Sequence, residues 1–437
     1  MLSSFVKITK GLIFSAGFCL FLASPAYSGG ILIPMDLNQS DHLKAYGVVY
    51  RCLQQGIKVQ WLLNYRGGSF LTDQDQMVGQ LCNLRGVSFS VVSDGDIQSI
   101  YGQMEPANME RIELEKAPKL AVYVPPTFDP WDDAVRLVLD YAEVPYATLW
   151  DEEVLAGALS QYDWLHLHHE DFTGQYGKFY LNYQNTDWYR NDVKVNTRTA
   201  QKLGYKKVSK LKLAVGQELR KYLFQGGFLF AMCSAPATLD IALAAAATDI
   251  VSQEFDGDPV DPSYAARLDF SQTLAFRDFS LMVNPYVYEH SDIDVNNQAM
   301  PMPVEVLSES PFVRGSNAYF TLFDFSAKYD PISCMLVQNH VALVSEFMGQ
   351  DTGFRKTKIK PGIVILAEVA GSDEVKYLHG IYGQGSFAYY GGHDPEDYQH
   401  MVGDPATDLR LHRNSPGYRL ILNNILFPAA KKKQLKT

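Results

Sequence analysis

Short apolar runs that stop at polar or glycine-rich clusters, separated by helix-like stretches, constrain this chain more than any other feature. Leu120-Ala121-Val122-Tyr123-Val124 ends at Pro125-Pro126, Trp164-Leu165-His166-Leu167-His168 ends at His169-Glu170-Asp171, and Gly227-Phe228-Leu229-Phe230-Ala231-Met232 ends at Cys233. Runs of this kind suit strands buried on both faces, and helix-length connections suit crossovers, so an α/β fold with a parallel sheet is expected. Open parallel sheets place their clefts at the carboxyl ends of the strands, where the polar clusters fall here.

An earlier unit over 29–115 has the same rhythm. Ile31–Met35, Val59–Leu63 and Val87–Val92 are strand candidates, a helix runs from Ser40-Asp41 to about Gln55, and Met109–Lys116 is expected to be helical. A second α/β domain is expected over 116–430, interrupted at about 253–330 by an insertion rich in aspartate, aromatics and proline that can wall a cleft. β-rich segments follow at 362–369 and 376–391, then a terminal helix over 420–430, and 431–437 is a basic tail. The composition, 47% hydrophobic and 20% charged, is that of a globular protein large enough for two cores. The formal charge of −11 argues against a nucleic-acid partner.

The N-terminus has the pattern of an export signal. Lys7 and Lys10 precede an apolar run from Gly11 to Ala23, and Ala26 and Ser28 are small residues before a cut at Gly29. The run is shorter than the ~20 residues that cross a bilayer, and the large Phe18 before Cys19 disfavours a lipoprotein cut. Residues 1–28 are therefore expected to be a cleaved signal, the protein periplasmic or extracellular, and the remainder without a transmembrane segment. Cys52, Cys82, Cys233 and Cys334 then remain, with no CxxC pair; Cys52 with Cys82 is the natural pair if one is oxidised.

Cys233-Ser234-Ala235-Pro236 sits between a strand and a helix, where a thiol can be lifted beside backbone donors and the positive helix end. Gly391-Gly392-His393-Asp394-Pro395-Glu396 closes a later strand. His393 can deprotonate Cys233, with Glu396 or Asp394 orienting the imidazole, which is the apparatus of covalent acyl transfer.

These residues resemble the class I glutamine-amidotransferase-like superfamily, most strongly over 119–248 and 362–429. The resemblance implies a flavodoxin-like sheet and a Cys-His-acid triad at Cys233, His393 and Glu396. The extra residue in His393-Asp394-Pro395-Glu396, against the usual His-Pro-Glu, departs from the pattern. The segments Ile33-Pro34-Met35-Asp36, His42-Leu43-Lys44-Ala45-Tyr46-Gly47 and 165–174 are also similar to an exported Bacteroidota family often called asparagine synthetase B. The residues do not support that activity: Gly29 offers no terminal cysteine, and no Ser-Gly-Gly-X-Asp-Ser loop is present.

The densest polar cluster is His166 to Asp171. His166 and His168 share one face of a strand, and His169 and Glu170 turn with the loop, so His166, His168, His169 and Glu170 are candidate ligands for a divalent metal. His168, His169 and Glu170 can instead orient a substrate, as can Arg66 in Tyr65-Arg66-Gly67-Gly68. Glu289, His290, Asp292 and Asp294 lack EF-hand spacing and read as an acidic loop. No cofactor beyond a possible divalent metal is expected. Three functions compete: a cysteine-dependent amide or ester hydrolase acting on envelope or glycan-linked substrates, a noncatalytic glycan- or envelope-binding module, and a metal-assisted hydrolase acting on small-molecule, peptide or glycan substrates.

Overall fold

The computed structural model describes residues 29–126, 133–295, 319–336, 343–345, 347, 349–397 and 405–431. The expected signal 1–28, part of the insertion and most of the basic tail lie outside them. The fold is α/β, with two sheets of different character.

The first sheet contains β1 (Gly30–Ile33), β2 (Val59–Leu63), β3 (Ser69–Asp73), β4 (Ser90–Val92) and β5 (Glu110–Leu114), in the order β4-β1-β3-β2-β5. Every pairing is antiparallel, which corrects the expected parallel arrangement. The reason is local. Asn64, Arg66, Gly67 and Gly68 all have positive φ, so 64–68 is a tight reversal that returns the chain as β3 beside β2. The segment expected to be a helix at 109–116 instead supplies β5, where Ile112 and Leu114 are buried and their neighbours face water. Cys52 and Cys82 are buried, unbridged thiols in this half.

The second sheet holds β6 (Leu120–Tyr123), β7 (Ala147–Leu149), β8 (Trp164–Leu167), β9 (Phe228–Met232), β10 (Tyr319–Leu322), β11 (Leu343–Ser345), β12 (Phe354–Arg355), β13 (Val364–Glu368), β14 (Glu374–Tyr382) and β15 (Gly385–Tyr390). Its order is β11-β10-β13-β14-β15-β9-β8-β6-β7, with β12 beside β14. The stretch from β15 to β7 is parallel throughout, and the rest is antiparallel. Numbered along the chain, the parallel strands run second, first, third, fourth, fifth. β9 lies between β8 and β15 and all five of its residues are buried, as a strand covered on both faces requires.

One hydrophobic core joins the two sheets, running from Ile31 and Trp61 through Val122 and Phe230 to Tyr390 and Ile421. The helix His42–Gln54, capped by Asp41 on the Lys44 N–H, crosses the helix Ala134–Ala142 at Gly47. A Cβ on Gly47 would stand 1.8 Å from the Ala142 carbonyl oxygen, so only glycine permits this approach. Among the described residues no helix is long and apolar enough to cross a membrane.

Candidate functional site

Register decides which residues meet. Leu167 pairs with Ala231 and Tyr390 with Met232, so β8, β9 and β15 end level with one another. The next residues, His168, Cys233 and Gly391 to His393, therefore gather at one edge. The Cys233 N–H donates to the Gly392 carbonyl over 3.0 Å, and the Ala235 N–H donates to the His168 carbonyl over 3.2 Å.

The histidines converge. The His168 and His393 rings are 4.4 Å apart, His168 and His169 are 5.2 Å apart, and His169 and His393 are 5.9 Å apart. One nitrogen from each of the three lies within 4.8 Å of the others. His166 and His168 form a second group at the same spacing with Asp133. The Asp133 carboxylate lies 3.3 Å from His166 Nε2 and 3.7 Å from His168 Nδ1. Burial pushes the Asp133 carboxyl up, but the His166 ring and the Arg136 N–H outweigh it and hold it below its usual value.

Glu170 is buried and accepts the His168 N–H over 2.8 Å. Burial raises its carboxyl above the ordinary value, against the opposing pull of His169. Of the four expected metal ligands, His168 and His169 join His393, whereas His166 lies one layer deeper beside Asp133. Asp192, on the helix Asp187–Lys202, is pushed up to about 6 by burial and interacts electrostatically with Lys212 and His169.

Cys233 has φ 52°, a left-handed conformation that a side chain adopts only under strain, at the turn from β9 to the helix Ala235–Ala244. Its thiol is buried and pushed up to about 12, even though the backbone N–H groups of Gln350, Ser234 and Asp351 oppose that shift. The expected orienting acids each have a partner of their own. Glu396 lies 2.9 Å from His412 Nδ1, and Asp394 accepts the Glu396 N–H over 2.9 Å. Arg66 pairs with Asp36 at 2.7 Å in the β2–β3 turn, within the first sheet.

Residues 282–290 of the segment read as an insertion pack beside this edge. Gln350 reaches the carbonyls of Gly177 and Tyr288, Lys178 reaches those of Met282 and Asn284, and His290 lies 3.4 Å from Asp171. Asp292 pairs with Lys358, so this acidic loop is tied into ion pairs. A group of Asp249, Asp256 and Asp258 is likewise centred on Lys207. A cavity of about 590 Å³ lies at the opposite end of the sheet, against Gly226, Gly227, Ser386 and Phe427.

The chain reading missed Asp133 and Asp192, which reach the histidines from separate helices. The one available signal for Asp133 was its position as a helix cap, where it accepts the N–H groups of Val135 and Arg136.

No family model matches the chain. No curated protein matches it. Among solved structures it is similar to the cytoplasmic protein STM3548 of Salmonella typhimurium, with 10% identity and a TM-score of 0.32 over 72% of this chain and 100% of the other. It is also similar to the cytoplasmic protein STM1381 of Salmonella typhimurium LT2, with 11% identity and a TM-score of 0.30 over 72% and 100%.

Proposed function

We propose that this protein is a metal-assisted hydrolase whose divalent ion is held by His168, His169 and His393. The observation that carries this reading is the approach of one nitrogen from each ring to within 4.8 Å of the others. Three imidazoles are a donor set for zinc and its neighbours that leaves a position open, and the buried carboxylates Asp133 and Glu170 supply a field that favours a cation. A bound ion supplies Lewis acidity for hydrolysis at neutral pH. Glu170, its affinity for protons raised by burial, takes and returns the proton. The insertion, held at Asn284 by Lys178 and at Tyr288 by Gln350, limits access of bulk water in this reading. The substrates in this reading are amides or esters of envelope peptides or glycans, in keeping with the export signal expected at 1–28.

One observation favours a second reading. The strained Cys233, in the turn after the fourth strand of a second-first-third-fourth-fifth parallel order, supports a flavodoxin-like, amidotransferase-like architecture with a cysteine nucleophile. The buried, protonated thiol weighs against it. Hydrolysis of a panel of N-acyl and O-acyl amino-sugar and peptide substrates separates the two. The metal reading expects activity to vanish with a chelator and in His168→Ala, return with added zinc or manganese, and survive Cys233→Ser. Loss in Cys233→Ser with indifference to chelation supports the cysteine reading instead.

A further inference from the structure

We propose that Asp133 is a positioning residue for this metal centre, fixing the His166–His168 pair so that His168 presents its Nε2 to the ion; the inference rests on the metal reading above. Asp133 precedes the helix Ala134–Ala142, and its Oδ1 accepts the N–H groups of Val135 at 2.8 Å and Arg136 at 3.0 Å. Two backbone bonds and 2% exposure leave the carboxylate little freedom. The same oxygen lies 3.3 Å from His166 Nε2 and 3.7 Å from His168 Nδ1, so one atom addresses two rings.

His166 cannot turn away. Its Nδ1 is 3.1 Å from the Phe230 carbonyl oxygen, and a carbonyl only accepts, so Nδ1 donates and Nε2 faces Asp133. The ring also stacks on Trp164 at 5.9 Å and Phe230 at 5.8 Å. This leaves the Asp133 carboxylate fixed 3.7 Å from His168 Nδ1, an ion-pair distance rather than a formed hydrogen bond, on the side of the ring from which an Nδ1–H would be attracted. A histidine that donates one ring nitrogen to a carboxylate has its other nitrogen committed as a lone pair, which fixes tautomer and orientation and strengthens the ligand. Phe230, His166, Asp133 and His168 thus stand in succession, with the Asp133 carboxylate the fixed charge between the two rings.

A purely structural Asp133 would act only as a helix cap, and asparagine caps as well as aspartate. Asp133→Asn therefore separates the two roles. Zinc affinity of the full chain would be measured by competition with a chromophoric chelator, alongside the visible spectrum of the cobalt-loaded protein and apo-protein melting. We expect Asp133→Asn to weaken zinc about 10- to 100-fold, the range found when such outer partners are lost, and to change the cobalt spectrum while melting stays within a few degrees. Asp133→Glu is expected to recover part of the affinity. Tight zinc binding by the unaltered protein with Asp133→Asn within twofold of it would overturn this inference alone. No zinc or cobalt binding by the unaltered protein would overturn the metal reading and this inference with it.

Discussion

The Cys233 N–H and the Gly392 carbonyl oxygen are hydrogen-bonded at 3.0 Å, stitching the turn after β9 to the turn after β15 one residue before His393. The bond helps hold Cys233 at φ 52°. In the metal reading this strain serves to place His393, with the thiol buried beneath the insertion.

Thiol labelling tests that assignment. Burial pushes Cys233, Cys52 and Cys82 each up to about 12. At pH 8 the thiolate fraction is then roughly 10³-fold below that of an ordinary cysteine, so iodoacetamide should modify all three slowly in the folded protein. Mass-spectrometric rates should rank Cys233 with the other two. Labelling of Cys233 at the rate of free cysteine or faster would favour a nucleophile.

The packing of the two halves depends on Gly47. Gly47→Ala should destabilise the protein by about 1–3 kcal/mol, because the added methyl meets the Ala142 backbone carbonyl rather than a movable side chain. Gly102→Ala is the control: nothing lies within 4 Å of its Cβ position, and the exchange should be neutral or stabilise by about 0.5–1 kcal/mol. Denaturant melts of both variants give the comparison, and equal stabilities would show that the helices part freely.

Asp240 should make stability depend on pH. Its fully buried carboxyl accepts the N–H groups of Leu274, Ala275 and Phe276 at 2.7–2.8 Å, and burial nonetheless pushes it up to about 6. From its ordinary value of 3.8 to about 6 the folded state binds more protons than the unfolded state. The contribution is therefore complete below about pH 4 and declines as pH rises through 6. The stability difference between the unaltered protein and Asp240→Asn should fall by about 2 kcal/mol from pH 4 to pH 7. A difference that stays flat across that range would contradict the burial argument.

What the chain made legible follows from burial. The strands around Val122, Leu165 and Phe230 are covered on both faces, so their apolar runs stood out, and the polar residues closing them did meet at one edge. Glu110–Leu114 was misread because a strand with one wet face carries charges at alternate positions, which in a short window resembles a charged helix. The Ser69–Asp73 strand is hard to see in the sequence because it follows a tight turn at 64–68 and its register comes from pairing with β2. At the site, His168 and His169 are adjacent in sequence, whereas His393, whose ring lies 4.4 Å from that of His168, follows a strand more than 200 residues later. The meeting of His393 with His168 depends on β15 lying parallel to β9, a long-range pairing that local sequence does not encode.

The most direct test of the metal centre is anomalous diffraction from crystals of the full chain grown with zinc, recorded on both sides of the zinc absorption edge. The account predicts one strong peak about 2.0–2.1 Å from a ring nitrogen of each of His168, His169 and His393, lost in His168→Ala. Diffraction that leaves the space among these three rings without an anomalous peak, at zinc concentrations well above micromolar, would contradict it.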